Sequence, residues 1–496
     1  RWGPERRVRS SRLRSILEAG IPLALSYDDV LLVPRRSDIG SRSAVDVGTR
    51  LTRRLRLAAP IVSANMDTVT EAEMAIAMAR AGGIGIVHRF LTVEEQVAEV
   101  SRVKRAEALV IADPHTIAAD ATVADARALT ERLGVSSLVV TGPDGRLAGL
   151  LTARDMLMRT DPAQPVREIM TPRERLVVGT PDTAVDEAAR LLRDGRIEKL
   201  PLVDAGDRLA GLITLRDLLQ RAERPDATKD ERGRLAVGAA IGVRGDYIER
   251  ARALQDAGAD VVVLDIAHGH AEHAVRAIGT VRDALGGQTD IIAGNVATAE
   301  GARDLAEAGA DGGKVGVGPG SVCTTRVVAG VGVPQLSAVM ECAEACAHYG
   351  VPVIADGGIR FGGDVAKAIA AGAESVMVGN LLAGTPESPG VVVMRNGSRV
   401  KVFRGMASSA AADARRAIDG EHGDDTEFTP VVAEGVEAVV PLRDEVGVIV
   451  HGLVGGLRSG MSYSDSRTIP EFHGNARLVR ITPGGLRESH PHDVSY

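Results

Sequence analysis

A cysteine set among glycines and hydroxyl-bearing residues is the most chemically suggestive feature of the chain. In the run GVGPGSVCTTR, Gly316 to Arg326, Cys323 is preceded by Gly316, Val317, Gly318, Gly320 and Ser321 and followed by Thr324 and Thr325. Glycines at 316, 318 and 320 and Pro319 must break an apolar strand expected over Gly313–Val317 into a tight loop. Backbone N–H groups in such a loop are unscreened by side chains and can stabilise a thiolate, the nucleophilic form of cysteine. The residue types alone equally allow a cysteine that serves as a small buried hydrophobe.

Two further runs suit a phosphate, ADGGI at 355–359 and VGN at 378–380. Glycine lets backbone N–H groups approach an anion closely, so Ser321, Gly357, Gly358, Gly379 and Asn380 form a candidate phosphate group. Asp356 would repel a phosphate, but its carboxylate can accept hydrogen bonds from a ribose diol; the alternative is a turn cap. The string VVVLDIAHGH sets Asp265 at a strand end, before His268, His270 and His273. Their spacing is loose for a metal site, and hydrogen bonding is the reading preferred here.

These residues need elements that bring them together. Short apolar runs predict strands over Ala58–Ser63, Ile84–Val87, Ala236–Ala240, Val261–Asp265, Asp290–Ala293, Gly313–Val317, Pro352–Ala355 and Ser375–Val378, with helices between them. Ala-Gly-Ala triplets at 257–259, 308–310 and 371–373 suit helix C-termini. Eight strands alternating with helices, and candidate ligand residues just after the strand ends, predict a TIM (β/α)8 barrel. A doubly wound sheet is the alternative.

An internal repeat interrupts that pattern: LAGLLTARDML at 147–157 returns as LAGLITLRDLL at 209–219. The expected division is therefore 1–106 as N-terminal segment and first part of the barrel, 107–223 as a duplicated α+β insert (107–160 and 166–223), and 224–496 as the rest of the barrel. Residues 403–441, rich in Ala, Gly and acidic residues, read as a mobile lid.

Composition narrows the class. A chain of 496 residues with 45% hydrophobic residues can bury a large core, and a net charge of −7 with scattered Lys and Arg gives no nucleic-acid surface. The basic start, RWGPERRVRSSRLR, is not followed by an apolar stretch, and no run reads as a membrane span. Three cysteines give no disulfide framework, so a soluble, cytoplasmic protein is expected.

The Cys323 string closely resembles the catalytic loop of the inosine monophosphate dehydrogenase and guanosine monophosphate reductase family, and the resemblance runs through most of the chain. It implies that Cys323 attacks C2 of a purine mononucleotide, with Thr325 and Glu434 supplying a proton. Ser63, Ser321, Asp356, Gly357, Gly358, Gly379 and Asn380 would bind substrate, together with Phe403, Arg404, Gly405, Met406, Ala407 and Glu434 at the two ends of the lid. Asp265 would face the nicotinamide ribose, near Asn295, Gly316, Val317 and Gly318. Carbonyls of Gly316, Gly318 and Cys323 would share a potassium ion with Glu488, Ser489 and His490 of a neighbouring subunit, in a homotetramer or octamer. The repeated segments resemble cystathionine-β-synthase-type (CBS) modules, which implies a TIM barrel with an inserted tandem CBS-module domain and a regulatory purine nucleotide held by Thr152, Asp155, Thr214 and Asp217.

The resemblance also bears on direction. Dehydrogenases of the family carry an Arg-Tyr pair in the lid to activate water, whereas this lid has no Tyr; Arg415 and Arg416 stand earlier than the expected place and precede Ala417. Reductases usually lack the insert and carry Arg-Ala-Ser where this chain has Val431, Val432 and Ala433. On balance the expected reaction is NADPH-dependent reductive deamination of GMP to IMP. The alternatives are NAD-dependent oxidation of IMP to XMP and a non-catalytic nucleotide-binding protein.

Overall fold

The computed structural model describes residues 20–106, 110–111, 113–157, 159–413 and 432–491. It divides into two compact units, one built from residues up to 103, 226–228 and 236 onward, the other from 104–225 and 229–235.

The first unit is a closed barrel of eight parallel strands: β1 (Ile61–Ser63), β2 (Ile84–Val87), β3 (Gly238–Ile241), β4 (Val261–Asp265), β5 (Asp290–Val296), β6 (Gly312–Val315), β7 (Val353–Asp356) and β8 (Ser375–Val378). β8 pairs with β1 to close it, Met377 opposite Val62. Each strand is short and apolar because it is covered on both sides, by helices outside and by side chains within. Alternate residues such as Val62, Ile84, Ile86, Val261, Val263, Ile292, Ile354 and Met377 fill the interior. Leu51 and Leu57, on a hairpin of Thr49–Arg50 and Arg56–Leu57, join that core. The same hairpin binds the starts of two strands, since Thr52 Oγ1 donates to Asp290 at 2.5 Å and Arg53 N–H to the Asp311 carbonyl at 3.1 Å. The N-terminal mouth is thereby plugged, and the C-terminal ends stay available for a site.

The Ala-Gly-Ala triplets end their helices as the sequence suggests. Gly258, Gly309 and Gly372 have φ of 95°, 105° and 106°, so the following N–H turns back onto the last turn of the helix, as from Ala310 to Leu305 O at 3.1 Å.

The second unit contains both repeated segments. In the first, strands Ser137–Thr141 and Leu147–Thr152 form a hairpin within a four-stranded sheet; in the second, Lys199–Val203 pairs with Leu209–Thr214. Each copy has its own core, and Val139, Leu147 and Leu150 of one pack with Val203 and Leu212 of the other.

The segment read as a lid is partly regular structure. Ser398–Arg404 and Glu437–Pro441 are antiparallel strands, with Phe403 opposite Ala438 and Arg404 opposite Glu437, in a three-stranded sheet with Val392–Arg395. The loop expected over 403–441 therefore begins and ends as sheet. Arg415, Arg416, Ala417 and Val431 lie outside the described residues.

Candidate active site

A cavity of about 890 Å³ opens at the C-terminal ends of the barrel strands. Its wall is supplied by the segments after nearly every strand: Ala64–Met66, Arg89–Phe90, Asp265–Ala267, Asn295, Gly316–Cys323, Asp356–Arg360 and Met377–Asn380. Cys323, Thr325 and Glu434 line it, as do Ser321, Gly357, Gly358, Gly379, Asn380, Phe403, Gly405, Met406 and Ala407.

The glycine-rich loop is held in place by close backbone packing. Gly316 has φ 154°, and a Cβ there would lie 2.1 Å from the Asp356 carbonyl oxygen. Gly357 has φ 97°, and its Cβ would meet Pro319 Cγ at 2.8 Å. The loops after β6 and β7 can touch this closely only without side chains at these positions. Arg326 braces the same loop, donating from Nε to Val317 O at 3.3 Å and from Nη2 to Val317 O at 3.2 Å. Its place at the end of the motif gave no warning of that role.

Cys323 is half-buried, with Sγ 3.2 Å from Thr325 Oγ1. The loop is stitched to the far end of the lid: Cys323 and Gly435 form an antiparallel bridge, and Thr324 N–H donates to Glu434 O at 2.8 Å. Val436 N–H donates to Val322 O at 2.9 Å, and Glu434 N–H to Ala407 O at 3.1 Å. Residues more than 100 apart in sequence are thus gathered around one thiol. Cys342 and Cys346 are buried on one helix, Gln335–Ala347, where burial pushes the Cys346 thiol up to about 11. Cys323 alone of the three reaches the cavity.

Across the floor runs a polar cluster centred on Lys314, which belongs to none of the sequence motifs for substrate or cofactor. Its ammonium donates to Asp265 Oδ1 at 2.8 Å, to Asp356 Oδ2 at 2.9 Å and to Asn295 Oδ1. Asn295 Nδ2 donates in turn to Asp356 Oδ2 at 3.0 Å and to the Gly316 carbonyl at 2.7 Å. The Lys314 side chain is only 3% exposed. Burial by itself would lower its pKa, but the two carboxylates hold it above the ordinary lysine value. Burial likewise opposes ionisation of Asp265, yet the Lys314 ammonium, with Arg89 and Asn65 beside it, holds that carboxyl below its usual range. The available signal was a lone lysine inside an apolar strand, GGKV, where a charge must find partners.

Two of the residues expected at the substrate, Ser63 and Arg404, do not line the cavity. Ser63 is fully buried in β1, its Oγ accepting from Thr70 Oγ1 at 2.8 Å, and it does not line the cavity. Arg404 turns away from the cavity to Asp67, donating from Nε to Oδ2 at 2.8 Å. Alternation along a strand explains this, since Phe403 and Gly405 occupy the inward positions. Glu488 closes the short helix Pro483–Glu488, followed by Ser489 and His490, the three residues expected to serve a neighbouring subunit. In the second unit, Thr152 Oγ1 donates to Asp155 Oδ2 at 2.7 Å and Thr214 Oγ1 to Asp217 Oδ2 at 2.6 Å, each pair at a helix start. His270 Nε2 lies 2.8 Å from Asp304 Oδ2.

A parallel eightfold barrel whose C-terminal cavity presents a thiol, glycine loops and half-buried carboxylates has the layout of a TIM-barrel enzyme site. Residues 24–492 match the IMP dehydrogenase / GMP reductase domain, and the chain belongs to that family of purine nucleotide oxidoreductases. It is 49% identical to inosine-5'-monophosphate dehydrogenase of Nitrosopumilus maritimus, over 95% of this chain and 98% of that one. It is 50% identical to GMP reductase of Leishmania donovani, over 96% and 98%. Among solved structures, GMP reductase of Trypanosoma brucei in complex with guanosine 5'-monophosphate superposes with a TM-score of 0.89 at 46% identity, covering 97% of this chain and all of that one.

Proposed function

We propose that the protein is a GMP reductase, converting GMP to IMP and ammonia with NADPH. The observation that carries the reading is the convergence of Cys323, Thr325 and Glu434 on one cavity, with Cys323 Sγ 3.2 Å from Thr325 Oγ1 and the Glu434 backbone fastened to the thiol loop. The Cys323 thiolate adds to C2 of the purine, and the C2–N bond breaks as Thr325 and Glu434 deliver a proton to the departing ammonia. Bound NADPH would supply a hydride to C2, and breaking of the C2–S bond would then free IMP and the Cys323 thiolate. Ser321, Gly357, Gly358, Gly379 and Asn380 hold the phosphate, and Asp356 the substrate ribose. Asp265 and Asn295 form the wall for the nicotinamide ribose; a cavity-facing carboxylate kept ionised by Lys314 retains acceptor capacity for a diol, which fits that group.

One observation favours reduction over oxidation, and a second removes an objection to it. The lid has no tyrosine to pair with an arginine as the base for water. The insert is no argument against a reductase, because the GMP reductases of L. donovani and T. brucei match 96% and 97% of this chain. The near-equal identity to IMP dehydrogenases supports the rival reading, oxidation of IMP with NAD and water. Purified protein supplied with GMP and NADPH should consume reduced cofactor and release ammonia, and Cys323→Ala should abolish this. Faster, sustained XMP production from IMP and NAD would overturn the assignment.

Three further assignments belong to this proposal. The barrel units form a tetramer, a potassium ion sits among the carbonyls of Gly316, Gly318 and Cys323 with Glu488, Ser489 and His490 of a neighbouring subunit, and the second unit binds a regulatory purine nucleotide through Thr152, Asp155, Thr214 and Asp217.

A further inference from the structure

Lys314 lies between two carboxylates that face the cavity from different strands, Asp265 at the end of β4 and Asp356 at the end of β7. A lysine ammonium has three protons, and here Asp265, Asp356 and Asn295 take them. The partners are themselves linked, because Asn295 donates to Asp356 and to the carbonyl of Gly316 in the thiol loop. Gln335 Nε2 adds a second tie, donating to Val315 O at 2.8 Å and Asp356 O at 3.1 Å. Moving either carboxylate therefore requires the ammonium, and with it the other carboxylate, to move.

We infer that Lys314 is a positioning residue that couples nucleotide binding to cofactor binding, by holding the carboxylate of each pocket through one buried ammonium. The inference rests on the ligand assignments proposed above. The side chains of Asp265 and Asp356 are 20% and 22% exposed, so each can accept a ribose hydroxyl while keeping its bond to Lys314. A ligand that orders one carboxylate orders the shared ammonium, and the second ligand meets a partner already in place. The sign is positive, and by linkage the factor is the same in both orders of addition.

The test is calorimetric titration of the full chain with GMP, alone and with saturating NADP, a pair that carries no hydride to transfer. Wild type should bind GMP about fivefold or more tightly with NADP present, the lower end of ordinary site-to-site coupling. Lys314→Met should bring that factor close to one, while Lys314→Arg, which keeps the charge but replaces a compact ammonium with a planar fork, should retain part of it. Should the methionine variant not fold, the arginine variant still decides, since undiminished coupling there would reject the inference. No coupling in wild type, or unchanged coupling in Lys314→Met, would also reject it. Failure of wild type to bind GMP at all would instead bring down the functional assignment, and this inference with it.

Discussion

Arg404 and Asp67 form an ion pair between the root of the lid and the loop after β1, with Asp67 only 7% exposed. Arg404 also receives support along its backbone, its N–H donating to Thr68 Oγ1 at 3.3 Å. The pair fixes the point from which Gly405, Met406 and Ala407 turn into the cavity. Removing the guanidinium would leave a buried carboxylate without its cation, so Arg404→Met should cost on the order of 2–3 kcal/mol. Thermal unfolding measures this, and the double variant with Asp67→Asn should recover part of the loss. Equal melting temperatures for wild type and Arg404→Met would refute the bracing role.

Glu434 is held by its backbone on both sides, its carbonyl accepting from Thr324 N–H of the thiol loop and its N–H donating to the Ala407 carbonyl at the other end of the lid. Replacing its carboxylate with an amide leaves those bonds intact. Glu434→Gln should therefore damage deamination far more than GMP binding, slowing ammonia release by roughly 10²-fold, the scale of one general acid. Single-turnover ammonia release separates this from a folding defect; unchanged release would remove Glu434 from the proton path.

Gly357 touches the Pro319–Gly320 turn where phosphate is expected, with φ 97° and 2.8 Å from a hypothetical Cβ to Pro319. Gly357→Ala should displace both loops and weaken GMP binding by about tenfold, or ~1.4 kcal/mol. Guanosine, which lacks the phosphate, should lose much less. An equal loss for both ligands would place the phosphate elsewhere.

Potassium should stimulate turnover if Gly316, Gly318 and Cys323 offer carbonyls to an ion completed by a neighbouring subunit. The Gly316 carbonyl already accepts from Asn295 at 2.7 Å and has a second lone pair to give. Rates compared in potassium-free and potassium-rich buffers of equal ionic strength test this. Identical rates would exclude an essential ion.

Residues 107–223 should be dispensable for the chemistry, because every residue assigned to it stands in the barrel unit. A chain lacking them should turn over GMP within a few-fold of wild type and lose its response to ATP and GTP. Retained regulation by both nucleotides would show that the sensor lies elsewhere.

Much of the barrel was legible because short, doubly buried strands leave an apolar pattern, and Ala-Gly-Ala triplets mark where the helices stop. The thiol loop was legible for a related reason: glycines at 316 and 357 stand where two backbones touch, and such contact leaves a residue type behind. Side-chain direction and pairing were not legible. Arg404 differs from Phe403 and Gly405 only by facing the other side of its strand, and sequence alone does not reveal which side is the cavity. Ser63 looks like any serine at a strand end until Thr70 is found against it. The role of Lys314 was the least legible, because a lysine in an apolar run declares only that partners must exist. Asp265, Asn295 and Asp356 lie on three different strands, 19 to 49 residues away. The amino-acid order by itself determined the strand count and the breaks, and it singled out the one cysteine of three that lines the cavity. Closure of the sheet decided which distant carboxylates share one ammonium, because only a closed barrel brings the ends of β4, β5, β6 and β7 to a common floor.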